Sequence, residues 1–467
     1  MEKEQPNTPL MAIPLAKNKR IAVTIGCALV LMAVFMSRFA LGVVMAPILT
    51  AMDKMDYYAL IMVIGTIGMV VMTPIGGKAG DMFGRITLIV LSSAIAIAAS
   101  VGIAFAKTVI PFAVFRLLLG FAQGAFLAAP YIIIGEIYEQ KNVPKLFGIM
   151  AACTVIAGLL GSMSGGVLAD KGLISYAILL PAIPAAIGAL LIGLFLPNKT
   201  KENRGAVDFA GIIALTATIS ALIFATNFGG KWGWTNIYIL AAFAATIICL
   251  FALSKIEKKA KEPIFPPHLF ANKALVTLFI ISFTAMYYLT SITYITLTAQ
   301  KVLVVSNTVA GSLQLPRTVI AILLPVFIGV WVAKKKENYW KSIAIALAIL
   351  LVSFAAISFT TPATPVAFLF IAVAFTGIAE SFRSVSITPA AQAIVPIKDI
   401  GASTALMTFA GILAQTISAT GASVAIDAFP NSLNSGLNCV FIITAVISLI
   451  GLLLAVCALR KFLSALS

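Results

Sequence analysis

Gly77-Lys78-Ala79-Gly80-Asp81-Met82-Phe83-Gly84-Arg85 joins two apolar runs, near 57–77 and 86–106, and carries all three charges found between residues 57 and 106. Each run has about 20 residues, which at roughly 1.5 Å per residue makes a helix as long as the hydrocarbon core of a bilayer is thick. The alternation continues in both directions. Apolar runs bounded by charge or by Pro/Gly clusters lie near 21–50, 57–77, 86–106, 109–134, 146–169, 175–196, 209–228, 236–254, 275–297, 308–333, 341–360, 364–388, 400–425 and 437–459, fourteen in all. Backbone in lipid must satisfy its own hydrogen bonds, and runs this long do so as helices rather than barrel strands. Composition agrees: of 467 residues 61% are hydrophobic and 10% charged, with mean hydropathy +1.08, against about 25% charged in soluble domains. These residues predict an all-α polytopic membrane protein with fourteen transmembrane helices.

A net charge of +16 would point to nucleic acid in a soluble chain. Here most of the basic residues lie in the short loops between spans, where they report topology instead. With the N-terminus inside, 23 of the 32 Lys and Arg fall on the cytoplasmic side and five outside (Lys54, Lys107, Lys171, Lys231, Lys301). Both termini are therefore expected in the cytoplasm. The first run follows Arg20 without a small-residue cleavage site and reads as a retained span. Cys27, Cys153, Cys249, Cys439 and Cys457 all fall within spans at no metal-like spacing. No metal or cofactor is predicted. No phosphate-binding loop G-x-x-x-x-G-K-[ST] occurs and no cytoplasmic segment is long enough for a nucleotide-binding domain, which argues against a primary pump.

The loop at 77–85 resembles the signature loop of the major facilitator superfamily, G-x-L-x-D-r-x-G-r, with Gly77, Asp81, Gly84 and Arg85 in register and Ala79 and Met82 departing from it. Span four carries Arg116-Leu117-Leu118-Leu119-Gly120, similar to the family's R-x-x-Q-G, with Leu119 for the glutamine and Gln123 one turn further on. Span five carries Ala157, Gly161, Ser162, Gly165 and Gly166, like the antiporter motif with Ser162 where proline is usual, a run that close helix packing explains nearly as well. Val207-Asp208-Phe209-Ala210-Gly211, then Gly229 to Trp234, and Glu262-Pro263-Ile264-Phe265 look like the two-helix insert and its continuation in the fourteen-span drug:proton antiporter branch. The resemblance implies the major facilitator fold: a six-helix bundle at 1–200, the insert at 201–262 and a second six-helix bundle at 263–467, enclosing a central cavity with alternating access. It also implies that Gly77, Asp81, Gly84 and Arg85 form a conformational gate. The second-half counterpart, Gly329 to Lys336, lacks the acid.

An ionisable side chain at mid-bilayer depth costs roughly 2.5 kcal/mol or more, so each is a functional candidate. Arg38 lies about 17 residues into span one, Arg116 in span four, Arg317 after Pro316 in span ten, expected near mid-depth, and Arg383 in span twelve three residues after Glu380. In cation-exporting relatives an aspartate usually stands nine residues before a proline ending span one, and here that residue is Arg38, before Pro47. By the family pattern spans one, four, nine and twelve line the cavity, which would gather Arg38, Arg116, Glu380 and Arg383 with Arg317 nearby. Four bases face one deep carboxylate. Either the cavity hydrates them or an anionic substrate completes the pairing, and guanidinium forks suit carboxylate, sulfate or phosphate. Arg116 is equally readable as purely conformational. Span nine adds Tyr287, Ser291, Tyr294 and Thr298 at helical spacing, with Tyr288 and Thr290 beside them, a face that fits either an amphipathic ligand or helix packing. Gln123 and Gln415 are weaker candidates of the same kind. Glu380, the only carboxylate deep in a cavity span, is the candidate proton carrier, while Glu136, Glu139 and Asp427 at span ends read as structural or gate residues.

The expected protein is thus a secondary active transporter, not an enzyme, in a prokaryotic plasma membrane. It would move an amphipathic organic anion of the bile acid or fatty acid type, coupled to protons or a counter-anion, and act as a monomer among lipids. The competing reading is a proton-coupled multidrug exporter of lipophilic cations, as the branch resemblance alone implies. A membrane-embedded sensor or enzyme lacks any catalytic triad, metal cluster or soluble domain to support it.

Overall fold

The computed structural model describes residues 13, 15–54, 57–197, 208–260, 263–305 and 307–464. Among them fourteen helical spans are long and apolar enough to cross a membrane. Spans one to six are Lys17–Ala51, Leu60–Phe83, Arg85–Phe105, Val109–Ile137, Gln140–Asp170 and Ile174–Phe195. Spans seven and eight, the insert, are Phe209–Gly230 and Ile237–Lys259. Spans nine to fourteen are Lys273–Lys301, Gln314–Ala333, Glu337–Ile357, Val366–Ala393, Ile400–Asp427 and Leu433–Phe462. The expected bundle boundary at 200/201 and the insert side of that at 262/263, with Lys3, Lys199, Lys201, Arg204, Lys261 and Glu262, lie outside the described residues.

Local chemistry sets the ends. Gly84 takes φ +94°, a left-handed angle that only glycine adopts without strain, and so turns the chain directly from span two into span three. Asp208, Asn236, Asn272 and Ser432 cap spans seven, eight, nine and fourteen by accepting from backbone N–H groups of the first turn. Span ten departs from expectation. Its long helix begins at Gln314, after a separate short helix Asn307–Ser312, because Pro316 has no N–H to donate back to residue 312. Arg317 therefore sits in the first turn of that helix rather than ten residues into it.

Packing divides into two cores. One is built from spans one to six, around Leu31, Phe112, Phe126 and Phe147. The other half contributes two clusters, around Leu278 and Leu347 and around Tyr288, Phe354 and Phe441. Spans two and four touch backbone to backbone: a β-carbon on Gly68 would meet the Leu117 carbonyl at 2.6 Å, and one on Gly76 would meet Ala125 at 2.9 Å. In span five, Gly161 and Gly165 lie against Met36 and Ala40 of span one, while Ser162 bonds only to carbonyls of its own helix. The insert packs on both halves through Leu215, Ile219 and Ile223 against Val63 and Val70 of span two and Ile412 of span thirteen.

The halves meet tightly at the end bearing the 77–85 loop. There Ala128 and Ile132 form one small core with Ile400 and Ala405, Gln392 Nε2 donates to the Tyr131 carbonyl at 3.1 Å, and Gln140 Nε2 donates to the Pro389 carbonyl at 2.9 Å. Gly148 and Gly329 bring spans five and ten into backbone contact. A Gly68→Leu change should strain the span two–four seam by about 1–3 kcal/mol. It should lower the thermal midpoint of the purified protein, whereas Gly42→Ala, which meets open space, should leave it unchanged.

Candidate functional site

Glu380 and Arg383 stand one turn apart on span twelve and form a two-armed ion pair. Arg383 Nε donates to Glu380 Oε2 at 2.9 Å and Nη2 to Oε1 at 2.5 Å. The Tyr288 hydroxyl adds a third donor to Oε2 at 2.5 Å. Arg317 reaches in from span ten, its Nη2 donating to the Tyr288 hydroxyl at 3.3 Å and its guanidinium 5.9 Å over the Tyr288 ring. Span nine places Tyr288 just beyond a one-residue gap in helical bonding at Tyr287, whose backbone stays helical (φ −57°, ψ −39°). From the other half, Tyr131 of span four lies within electrostatic range of both Glu380 and Arg383. One carboxylate thus answers two guanidiniums, and Arg317 Nε stays buried without a partner.

A second positive centre lies in the first half. Arg116 is 7% exposed, with its guanidinium against Gly65, where a β-carbon would come within 2.8 Å of Cζ. Its Nε has no partner. Arg38, within Coulombic reach of Arg116, is exposed on span one, one turn before Gly42, which faces open space. No carboxylate pairs with either arginine among the described residues. Gln123 is buried and donates to Ser37 Oγ at 3.1 Å, tying span four to span one.

The span-nine face turns elsewhere. Ser291 Oγ bonds Thr444 Oγ1 at 2.7 Å, Tyr294 joins a cluster with Ala422 and Val440, and the Tyr287 hydroxyl abuts Gly421. Tyr287, Ser291 and Tyr294 thus fill the seam with spans thirteen and fourteen, and the structure does not bring them to the arginines. Tyr288, their neighbour, is the one that reaches Glu380.

At the gate Arg85 pairs with Asp81, donates through Nη2 to Glu136 Oε1 at 3.0 Å and through Nη1 to the Gly77 carbonyl at 3.1 Å. This knot presses on span thirteen: a β-carbon on Gly77 would lie 2.7 Å from Ala405, and one on Gly401 2.8 Å from the Asp81 carboxylate. Glu139 pairs with Lys141 at 2.5 Å, and Asp427 accepts from Trp234 Nε1 at 3.3 Å. Gln392 and Tyr131, which latch the two halves, carry no signal of charge or spacing that a sequence reading could use.

This architecture is that of a secondary transporter. Residues 27–368 match the family model described as Major Facilitator Superfamily, and the chain belongs to that family; its members here are transporters, not enzymes. Among curated relatives, the multidrug transporter protein MdtP of Bacillus subtilis is 28% identical over 263 residues, 56% of this chain and 49% of MdtP. Multidrug resistance protein 3 of the same organism is 23% identical over 374 residues, covering 79% of this chain and 72% of that protein. The chain therefore spans about half the length of MdtP. Solved structures share the fold: the human organic anion transporter MFSD10 at TM-score 0.65 and 15% identity, covering 94% of this chain and 100% of that one. The proton:xylose symporter XylE follows at TM-score 0.64 and 14% identity, with 96% and 99% covered.

Removing the carboxylate alone leaves two buried guanidiniums uncompensated. Glu380→Ala should therefore destabilise by about 3–5 kcal/mol. The Glu380→Ala/Arg383→Ala double variant should recover part of that loss, a coupling read from thermal midpoints of all four proteins in a double-mutant cycle.

Proposed function

We propose that this transporter carries an amphipathic organic anion across a prokaryotic plasma membrane, coupled to protons. The observation that carries the reading is the Arg38–Arg116 pair: two like charges close together, one of them buried with an unpartnered donor, and no carboxylate paired with either among the described residues. A buried charge is stable only when paired. An anionic headgroup docking on Arg38 supplies the missing partner, and its apolar body meets the surrounding span faces. The fold accepts such cargo in MFSD10, which is named an organic anion transporter.

The basic end of the bundle is cytoplasmic by the positive-inside rule, so the gate of Arg85, Asp81 and Glu136 closes the cavity to the cytoplasm. Glu380 holds the coupled proton. Its ionised form grips Arg383 with two bonds and the Tyr288 hydroxyl with a third, and protonation removes the charge that organises all of them. Tyr288 and Arg317 then lose their anchor, and spans nine, ten and twelve are free to repack as the halves rock. The transporter works as a monomer in lipid.

A second reading, proton-coupled export of lipophilic cations, is favoured by the names of MdtP and Multidrug resistance protein 3. Reconstituted protein assayed with panels of organic anions and cations separates the two. The anion reading expects uptake of anions only, with Arg38→Ala weakening apparent affinity about 10- to 100-fold, the loss of one charge-assisted hydrogen bond. Cation transport indifferent to Arg38→Ala would sink it. Glu380→Gln should abolish the response of flux to a pH gradient while exchange of preloaded substrate persists; an unchanged response would remove Glu380 from the coupling role.

A further inference from the structure

At the basic end of the insert two carboxylates are each half used. Asp208 caps span seven, its Oδ1 accepting from Gly211 N at 2.8 Å. Glu257, in the last turn of span eight, accepts at Oε2 from Phe265 N at 3.0 Å, which fastens the insert to the segment leading into span nine. Glu257 is 7% exposed. The second oxygens, Asp208 Oδ2 and Glu257 Oε1, are both buried and both without a hydrogen-bond partner. They lie together: a β-carbon on Gly211 would touch both, reaching Glu257 Oε1 at 3.1 Å. The charged groups facing Glu257 from neighbouring elements are Asp208 and, from the 77–85 loop, Lys78.

Two acceptor oxygens side by side, shielded from water and without a donor, are unstable as a doubly ionised pair, since neighbouring carboxylates repel and each orphan loses its hydration. One donor placed between them satisfies both. We propose that Asp208 and Glu257 form a proton-binding site distinct from Glu380, holding a single shared proton between Oδ2 and Oε1. A proton is the smallest species that serves, and it converts one carboxylate into a donor while the other remains the acceptor. The site stands where the insert, the span-nine linker and the gate loop converge, so its occupancy controls how firmly the insert is joined to the second half beside the gate. Loss of the proton drives the two carboxylates apart and loosens the Glu257 grip on Phe265 N.

The folded protein then holds, near neutral pH, a proton that the separate carboxylates of the unfolded chain have already released at about pH 4. More protons bound in the folded state means stability that falls as pH rises. The test uses the purified full-length protein and its thermal midpoint between pH 6 and 8.5. Wild type should lose roughly 2 °C per pH unit. Glu257→Gln should flatten that slope, because the amide nitrogen donates permanently to Asp208 Oδ2 while the amide oxygen still accepts from Phe265 N; Asp208→Asn should do likewise. Slopes equal to wild type in both variants would overturn the proposal. So would a wild-type midpoint that rises with sodium, against choline, at fixed pH and is insensitive to sodium in the variants, since the pair would then hold a metal cation. Should the insert variants not accumulate, infrared spectra of Glu380→Gln, which retains the pair, report the same proton. A protonated-carboxyl stretch that bleaches as pH rises supports the site, and no such stretch refutes it.

Discussion

An ionised side chain inside a bilayer must find a counter-charge, and the deep charges of this chain find theirs unequally. Glu380 is saturated: Arg383 contributes two donors and Tyr288 one. Arg317 is held only through the Tyr288 hydroxyl and ring. Among the described residues Arg116 and Arg38 have no carboxylate paired with them. The second half is therefore locally organised around one carboxylate, whereas the first half carries positive charge that its own residues leave uncompensated. Buried unpaired charge is the costly case, so the two halves are unlike: in one a carboxylate is fully answered, and in the other the Arg116 guanidinium keeps an unpartnered donor.

The same constraint explains what the sequence disclosed. The fourteen spans were legible because lipid demands about 20 apolar residues in helical form, and the errors there are local, as where Pro316 restarts span ten. The charged members of the site were legible for a related reason: a base or an acid at mid-depth stands out against an apolar run. Tyr288 did not stand out. Seven other hydroxyl-bearing residues crowd the same stretch of span nine, 287–298, and the polar periodicity at 287, 291, 294 and 298 marks an equally real hydroxyl seam with spans thirteen and fourteen. Both seams and cavities in membrane proteins use polar side chains, so only the orientation of the helix separates them. Gln392 and Tyr131 were hidden more completely, because one acts through an uncharged amide and the other through its main-chain carbonyl.

Tyr131 joins the two halves. Its carbonyl is the acceptor for the Gln392 latch at the gate, and its phenol lies in the field of Glu380 and Arg383. Gln392 in turn donates to Thr404 Oγ1 at 2.9 Å, one residue before the Ala405 that meets Gly77. The Glu380–Arg383 pair thus lies close to a residue of the opposite half that itself accepts a bond across the seam. The knot of Arg85, Asp81 and Glu136 belongs wholly to the first half and meets the second half only by pressing on span thirteen. The second-half loop lacks the matching acid, so the two halves are held at this end by contacts across the seam rather than by two mirrored ion-pair knots. The carboxylate that organises the second half and the loop that carries the Arg85 knot thus lie in different halves, with Tyr131 and Gln392 standing at the seam between them.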